Sequence, residues 1–305
     1  MEFGCHLPSF GPIASRHNVI TFAKRVEALG YDSLWASDHV ILPYAIRSRY
    51  PYSESGQFPL PANANFLEPL TTLALAAGVT ERVKLGTTIL VLPHRHPLLA
   101  AKMLANLDHL SAGRVILGVG VGWMEEEITL LGAPYRERGA WSDEAIRIMR
   151  TCWSQERASY AGRFFRFDEI GCFPQPVRKS IPIWIGGHTP RALRRVAELG
   201  DGWHAAFPAP DKLASDLVLL RDECRKAGRR FEDLAITLRV GVSIRREKKP
   251  AERRPMIGTP EEIIEDIRRY GALGVTTLLL ESRQRDLDDM LQIHETFAGE
   301  IIPAV

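Results

Sequence analysis

The 305-residue sequence has few of the features that mark membrane, secreted or metal-binding proteins. It contains only four cysteines, Cys5, Cys152, Cys172 and Cys224, and no two of them have the close spacing of a metal or redox motif. No apolar run reaches the roughly 18 residues that a membrane-spanning helix needs, and no basic segment precedes the apolar residues 3–7. We therefore expect a cytoplasmic protein without a membrane partner, whose cysteines are reduced and mostly buried.

The sequence also lacks a strong excess of charge of either sign. Its formal net charge is +2, and its basic residues do not form the concentrated face that a nucleic-acid partner would require. Apolar residues make up 45% and charged residues 25%, which is typical of globular proteins. No composition shift marks a linker, so we expect a single domain over residues 1–305.

Short apolar runs alternate with longer segments of helical periodicity, which is the pattern of a parallel β/α fold. Strands are predicted at residues 3–7, 33–36, 83–88, 115–119, 183–185, 203–206, 235–240 and 276–280. Helices are predicted at residues 19–29, 67–77, 97–110, 190–199, 212–227, 260–273 and 287–297. Eight strands with intervening helices favour a (β/α)8 TIM barrel, and a doubly wound sheet is the alternative.

Three stretches interrupt this alternation and are interpreted as insertion loops. Residues 43–65 are rich in Pro, Tyr and Ser, and residues 159–176 are predicted to form a hairpin around Gly162 with an extended tail. The third stretch, residues 245–255, is a charged loop that is either solvated or in contact with an anionic cofactor tail. Its basic residues are Arg245, Arg246, Lys248, Lys249, Arg253 and Arg254.

Asp38 and His39 directly follow the second predicted strand. Polar residues at the carboxyl ends of barrel strands face the active site, and a carboxylate beside an imidazole tunes it for proton transfer. The alternative is that Asp38 only caps the start of a loop.

A glycine-rich turn, Gly186–Gly187–His188–Thr189, joins the fifth predicted strand to the helix that begins at Pro190. Glycines allow close approach of a ligand to the backbone, and the first-turn amides of a helix attract anions. These residues are predicted to bind a phosphate group. A tight turn without a ligand is the alternative.

Alternating glycines, including Gly120 and Gly122, precede Trp123 at the end of the fourth predicted strand. Their spacing does not match the dinucleotide-binding fingerprint. They are interpreted as a surface against which a planar ligand packs, with Trp123 as one wall.

Five histidines, His6, His39, His94, His96 and His204, lie near the predicted carboxyl ends of strands. A metal-dependent hydrolase with His94 and His96, together with Asp38, as ligands is one interpretation. We expect no metal, because Pro93 and Arg95 flank and separate the two histidines.

The order of these motifs resembles the bacterial-luciferase-like oxidoreductase superfamily, most closely its branch of oxidoreductases that use the deazaflavin coenzyme F420. The similar stretches are residues 27–39, 82–90, 95–97, 110–123 and 182–203. The resemblance implies a (β/α)8 barrel, often dimeric, that binds its cofactor over the carboxyl ends of the strands.

The resemblance also implies where the cofactor lies. Residues 186–189 would contact its phosphate, and a bulge at Thr88–Ile89, with a non-prolyl cis peptide, would press on the flavin ring. Arg95, Gly120 and Gly122 complete the expected cofactor-binding set. His39, Asp38 and Trp123 would line the reacting face as catalytic residues, under a lid formed by residues 43–65.

One departure from the family pattern bears on the substrate. Relatives that oxidise sugar phosphates or secondary alcohols carry a glutamate directly after the glycine run, where this sequence has Trp123 and then Glu125, Glu126 and Glu127. Reduction of an activated double bond in a small organic molecule is therefore favoured over alcohol oxidation.

Two cofactors are compatible with the resemblance. F420 would make the protein a hydride-transferring oxidoreductase, whereas FMN, supplied by a flavin reductase partner, would make it a monooxygenase. The similarity over residues 85–123 favours F420. A flavin-binding protein without catalysis is the alternative from another class.

Overall fold

The computed structural model describes residues 1–247 and 253–305, and its centre is a closed ring of eight parallel strands. The strands are β1 (Glu2–His6), β2 (Ser33–Ala36), β3 (Lys84–Thr87), β4 (Val115–Gly120), β5 (Ile183–Gly186), β6 (Gly202–Ala206), β7 (Ala235–Gly241) and β8 (Thr277–Glu281). Neighbours in the chain are neighbours in the ring, and pairing of β1 with β8 closes it. The predicted (β/α)8 barrel is confirmed, and each strand lies within two residues of its predicted bounds.

Helices cover the outside of the ring. In the described part of the chain they are α1 (Arg16–Ala28), α2 (Pro69–Ala77), α3 (Pro97–Leu110), α4 (Glu125–Leu130), α5 (Arg138–Ser154), α6 (Pro190–Leu199), α7 (Pro210–Lys226), α8 (Pro260–Ala272) and α9 (Leu287–Thr296). A π-helical turn, Phe297–Ile301, continues α9. The predicted bounds of α3 and α6 are confirmed at both ends, because a proline at the first helical position marks each start.

Two helices between β4 and β5 were not predicted. The longer one, α5, buries Trp141, Ala145, Ile148 and Cys152 on one face, a spacing of four, three and four residues that is typical of an amphipathic helix. No helix is predicted for this segment, although the helical period is present in its sequence. The shorter one, α4, has only six residues, too few to show a period.

The insertions follow the predicted pattern in part. Antiparallel strands Ala158–Ala161 and Arg166–Ile170 confirm the hairpin around Gly162, whose turn is held by two backbone amides that donate to Glu144. Short strands also occur at Leu90–Val91 and as the pair Ser243–Ile244 and Ile257–Gly258. In the charged loop, Arg253 donates to Asp266 at 3.0 Å. Lys248 and Lys249 lie outside the described residues.

Trp35 of β2 fills the centre of the barrel. Its side chain is fully buried and stacks with the rings of His204 and Trp184, at centroid distances of 5.2 and 5.5 Å. A Cβ atom added to Gly4 or Gly86 on the adjacent strands would overlap the indole. The barrel is thus packed solid below the level at which a ligand would bind.

The four cysteines are free and buried, as expected. Cys152 of α5 and Cys172 lie side by side, and burial together with this neighbour raises the pKa of the Cys152 thiol to about 12. Cys5 contacts Nδ1 of His294 at 3.3 Å inside the barrel wall. No helix in residues 1–247 or 253–305 is long and apolar enough to cross a membrane.

Candidate active site

The carboxyl ends of β2, β3, β4 and β5 bring most of the predicted site residues to one end of the barrel. His39 and Trp123 contact each other with ring centroids 6.1 Å apart. Ile89, from the segment after β3, lies beside Gly120 and Gly186. Residues that are 97 positions apart in the chain thus meet at Ile89, as expected for a barrel whose loops carry the site.

His39 is held by Glu127, a residue that sequence reasoning did not single out from its two neighbours. The distance from His39 Nδ1 to the Glu127 carboxylate is 2.6 Å, and the other carboxylate oxygen accepts from the backbone amides of Val40 and Ile41 at 2.7 and 3.1 Å. The Glu127 side chain has no exposed surface. A run of three glutamates after Trp123 was visible in the sequence, but nothing in it shows which one points inward.

Asp38 lies directly beside this pair but faces Arg95. The guanidinium donates to both Asp38 oxygens, at 2.6 and 2.9 Å, and also to Glu68 at 2.7 Å. The backbone amide of Val91 donates to the same Asp38 carboxylate at 2.9 Å. Burial alone would raise the pKa of Asp38, but the nearby His94 and the hydrogen-bonded, charged Arg95 hold it at about 2.

The buried imidazole of His94 lies between the two carboxylates. Its Nδ1 is 3.6 Å from Asp38 and its Nε2 is 3.5 Å from Glu127. Within the described residues Nδ1 has no hydrogen-bond partner. His94 therefore joins the Asp38–Arg95 pair to the His39–Glu127 pair in one charged cluster.

The peptide bond between Thr88 and Ile89 is cis, as expected from the resemblance. The two side chains point to different places. Thr88 is buried and its hydroxyl contacts His204 at 2.9 Å, whereas Ile89 is partly exposed. A Cβ atom on Gly120 would overlap Ile89, and one on Gly186 would lie 3.2 Å from it. Because neither glycine has a side chain, the side chain of Ile89 lies between β4 and β5 and forms a partly exposed apolar surface, called the Ile89 step below.

Below this step is a polar layer that sequence reasoning had noted only as scattered histidines. The hydroxyl of Thr237 donates to the carbonyl of Trp203 and must therefore accept from Nδ1 of His204, at 2.8 Å. Nε2 of His204 then accepts from Thr88. Burial, helped by Arg239, lowers the pKa of His204 to about 3, so this imidazole is neutral.

A second part of the polar layer surrounds Glu281 of β8. Arg239 and Arg283 donate to its two oxygens at 2.7 and 2.6 Å, and their charges hold its pKa at about 2 although it is buried. Arg239 also donates to the carbonyl oxygen of Thr88 at 2.7 Å. Opposite it, His6 contacts Ser37 at 2.7 Å, and burial lowers the pKa of His6 to about 4.

Aromatic residues of the 43–65 insertion cover this end of the barrel. Tyr50 and Phe58 contact the ring of Trp123 at centroid distances of 5.1 and 5.6 Å, and Tyr52 contacts Phe207 at 5.8 Å. The insertion is attached to α4 through Glu126, whose carboxylate accepts from the amides of residues 47 and 48 and from the Ser48 hydroxyl. The position is the one predicted for a lid.

The turn predicted to bind phosphate has a defined conformation. Gly187 has φ of +107°, which favours glycine, and Thr189 caps α6 by accepting from the amide of Ala192 at 3.2 Å. His188 is engaged elsewhere, with Nδ1 3.1 Å from Asp216 and Nε2 3.0 Å from the carbonyl of Ala206. Gly186 and Gly187 are partly exposed and Thr189 is exposed.

Other predicted residues have structural partners. Gly122 has φ of +78°, and its carbonyl accepts from Arg138 at 3.1 Å. The side chain of Arg95 is 9% exposed, which leaves little of it for a ligand. Among the described residues, no group of three or more His, Cys, Asp and Glu side chains is arranged to hold a metal ion.

Comparisons with known proteins agree with this architecture. A family model described as luciferase-like monooxygenase matches residues 1–256. An F420-dependent glucose-6-phosphate dehydrogenase of Nakamurella multipartita is 31% identical over 247 residues, which cover 79% of this chain and 67% of that protein.

Two solved structures share the fold at low sequence identity. An F420-dependent secondary alcohol dehydrogenase in complex with an F420-acetone adduct superposes with a TM-score of 0.80 at 21% identity, covering 100% of this chain and 98% of the other. The oxygenating constituent of 3,6-diketocamphane monooxygenase of Pseudomonas putida, in complex with FMN, has a TM-score of 0.75 at 19% identity, covering 99% and 98%.

Proposed function

The chain belongs to the luciferase-like monooxygenase family and is an oxidoreductase, and we propose that it transfers a hydride between coenzyme F420 and a small organic substrate. The observation that carries this proposal is the position of the His39–Glu127 pair, with His39 against Trp123 at the same end of the barrel as the Ile89 step. The proton donor His39, the aromatic wall Trp123 and the ring support Ile89 then all lie at the carboxyl end of the barrel, where barrel enzymes carry out their chemistry.

The residues present fit a flavin-type ring. Ile89 offers a partly exposed apolar surface, and Gly120 and Gly186 carry no side chain that would stand between it and a planar group. When bound, such a ring supplies the hydride acceptor or donor. The protein's contribution is to hold the ring on Ile89 and to exclude water with the aromatic residues of the 43–65 lid.

The phosphate-bearing part of the cofactor would bind at the turn formed by residues 186–189. The turn is partly exposed; in the first turn of α6 Pro190 has no amide hydrogen and Ala192 donates to Thr189, so the amide of Arg191 is the one left to favour an anion. Arg191 and Arg194 are exposed in the first turns of α6 and add positive charge. The engaged contacts of His188 support a role in shaping this turn rather than in direct binding.

His39 and Trp123 are proposed to contact the substrate, whereas Asp38 and Arg95 act at a distance by supporting the loop that carries His39. His39 would give or take the proton that accompanies hydride transfer. Trp123 stands where relatives that oxidise alcohols have a glutamate, so reduction of an activated double bond is the proposed direction.

A second candidate is an FMN-dependent monooxygenase with a flavin reductase as partner. The similarity of the fold to an FMN-bound oxygenating constituent favours this candidate. The lid and the Ile89 step would serve both cofactors equally. A homodimer and a cytoplasmic location also remain predictions, and the first is tested by the mass of the purified protein in solution.

Fluorescence titration of the apoprotein with F420 and with FMN in parallel separates the two candidates. We expect F420 to bind at least tenfold more tightly, a difference of about 1.4 kcal/mol. Gly186→Val, which places a branched side chain beside Ile89, should weaken both, whereas Gly299→Val, at an exposed position after α9 where an added Cβ atom meets nothing within 4 Å, should change neither. Tighter binding of FMN, with oxygen consumption above the uncoupled background, would support the monooxygenase instead.

A further inference from the structure

The Glu127 side chain is fully buried, and four nitrogen atoms lie near its carboxylate. They are Nδ1 of His39 at 2.6 Å, the backbone amides of Val40 and Ile41 at 2.7 and 3.1 Å, and, further away, Nε2 of His94 at 3.5 Å. We propose that Glu127 is a positioning residue that fixes the tautomer of His39, so that Nε2 is the atom that exchanges a proton with the substrate. The inference rests on the proposed function for its consequence, but not for its geometry.

The tautomer follows from the inventory of donors and acceptors. The backbone amides of Val40 and Ile41 both donate to one oxygen of Glu127, and hydrogen bonds of this kind favour a carboxylate, which can only accept. The proton between Glu127 and His39 must therefore be on Nδ1. In the neutral imidazole, Nε2 then carries the lone pair, and in the described part of the chain no hydrogen bond to this atom is found.

The surroundings of the His39 ring leave it few other orientations. Phe58 and Phe66 contact it edge-on at centroid distances of 4.9 and 5.1 Å, and Trp123 contacts it at 6.1 Å. None of these rings can accept the Nδ1 proton in place of Glu127. The carboxylate is thus what sets both the direction of the ring and the site of its proton, as in a catalytic triad.

The same carboxylate would stabilise the imidazolium. When His39 takes a proton on Nε2, both ring nitrogens carry hydrogen and the ring becomes a cation. The negative charge of Glu127, 2.6 Å away and shielded from solvent, offsets that charge. When His39 returns the proton, the ring reverts to the tautomer with hydrogen on Nδ1. Only the Nε2 proton is exchanged with the substrate, while the Nδ1 proton stays between the ring and the Glu127 carboxylate.

Glu127→Gln makes a sharp test because the amide can adopt only one useful orientation. The amides of Val40 and Ile41 require an oxygen opposite them, so the Gln NH₂ group must face His39. Nδ1 then has to accept, and the ring proton moves to Nε2. Glu125→Gln is the matched control, since it removes one charge from the same helical turn at an exposed position.

Long-range ¹H–¹⁵N spectra of histidine side chains report the tautomer without cofactor or substrate. The His39 signals are assigned by their loss in His39→Gln. We expect the form with hydrogen on Nδ1 in the wild-type protein and in Glu125→Gln, and the form with hydrogen on Nε2 in Glu127→Gln. Hydrogen on Nε2 in the wild-type protein would overturn the proposal, even if Glu127→Gln does not fold.

Kinetics provide the second measurement. Glu127→Gln is expected to lower kcat roughly 10²–10⁴-fold with little change in KM, which is the range for loss of general acid–base catalysis. Glu127→Asp, which keeps the carboxylate, should restore part of kcat. A normal kcat in Glu127→Gln would overturn the proposal. A tautomer change in a protein that turns over no F420 substrate would instead count against the proposed function alone.

Discussion

The carboxylate of Asp38 and the guanidinium of Arg95 form a bidentate pair, at 2.6 and 2.9 Å, in which the Asp38 side chain is fully buried and that of Arg95 is 9% exposed. The pair joins the end of β2 to the start of α3. It therefore anchors the loop on which His39 stands, and the adjacent charges of the site depend on its being intact.

Asp38→Asn should lower the free energy of unfolding by about 3–5 kcal/mol, because it leaves the Arg95 charge buried with its main partner removed. Glu68→Gln removes the other, more exposed carboxylate from the same guanidinium and should cost about 1 kcal/mol or less. Urea denaturation of both variants measures the two changes. If both variants lose the same free energy of unfolding, the burial of the Asp38–Arg95 pair does not contribute to stability.

Buried neutral histidines should make the protein lose stability between pH 6.5 and about 4. The pKa values of His6, His204 and His294 are lowered by burial to about 4, 3 and 3, so in this range the unfolded chain binds protons that the folded one does not. Stability is complete above pH 6.5 and falls as the pH drops, with a slope of up to about 4 kcal/mol per pH unit for three groups.

Free energies of unfolding at pH 7.5, 6 and 5 test this slope. Asp38 and Glu281, with pKa values held at about 2 by their cationic neighbours, add to the loss only below about pH 4. His17→Gln, at an exposed position, is the control and should leave the slope unchanged. Constant stability from pH 7.5 to 5 would contradict the neutral state of these three imidazoles.

Two glycines of β4 should respond differently to alanine. A Cβ atom on Gly118 would overlap the backbone carbonyl oxygen of Thr87, which cannot move without disturbing the barrel, whereas one on Gly120 would overlap only the end of the Ile89 side chain. Gly118→Ala should cost about 3 kcal/mol of stability, at the upper end for overpacking. Gly120→Ala should cost about 1 kcal/mol but weaken cofactor binding roughly tenfold, or about 1.4 kcal/mol.

Thermal unfolding and cofactor titration separate these two effects. Adding Ile89→Val to Gly120→Ala removes the terminal methyl group that the new Cβ displaces and should restore part of the affinity. If both glycine variants lose the same stability and neither loses affinity, Ile89 does not support the ring.

The lid should open more often when its attachment to α4 is removed. Glu126→Ala deletes the acceptor of the two amides and the hydroxyl at residues 47–48, without touching the barrel. We expect proteolysis within residues 43–65 to become roughly tenfold faster, equivalent to about 1.4 kcal/mol of opening free energy. Glu125→Ala, one residue earlier and exposed, should leave the rate unchanged. If Glu126→Ala and Glu125→Ala are cleaved at the same rate, the hydrogen bonds of Glu126 do not hold the lid closed.

The elements that were predictable are those whose signals are local. A threonine or histidine followed by proline marks the start of α6 or α3, and the alternation of strands and helices indicates the barrel. The period of α5 was equally local and was overlooked. The short strand Leu90–Val91 had no signal, since two residues cannot show alternation.

For the site, the sequence predicts individual residues but not which of them contact each other. His39 and Trp123 stand directly after strands, and chain position alone places them at the carboxyl end of the barrel. The partner of His39 is 88 residues away, on a helix too short to be predicted, and its two neighbours have the same side chain. A carboxylate can pair with a histidine, with a guanidinium or with the backbone amides of the lid. Which of these it contacts depends on where its side chain points, and the sequence pattern does not show this.

The buried indole of Trp35 has a consequence for the redesign of this protein. The indole lies in the barrel core against the rings of His204 and Trp184, and a Cβ atom on Gly4 or Gly86 would overlap it. A side chain at Gly86 is therefore admissible only after Trp35 has been replaced by a smaller residue, and one at Gly4 also needs the space that the Ser33 hydroxyl occupies. The order in which such substitutions are introduced determines which of the intermediate variants fold.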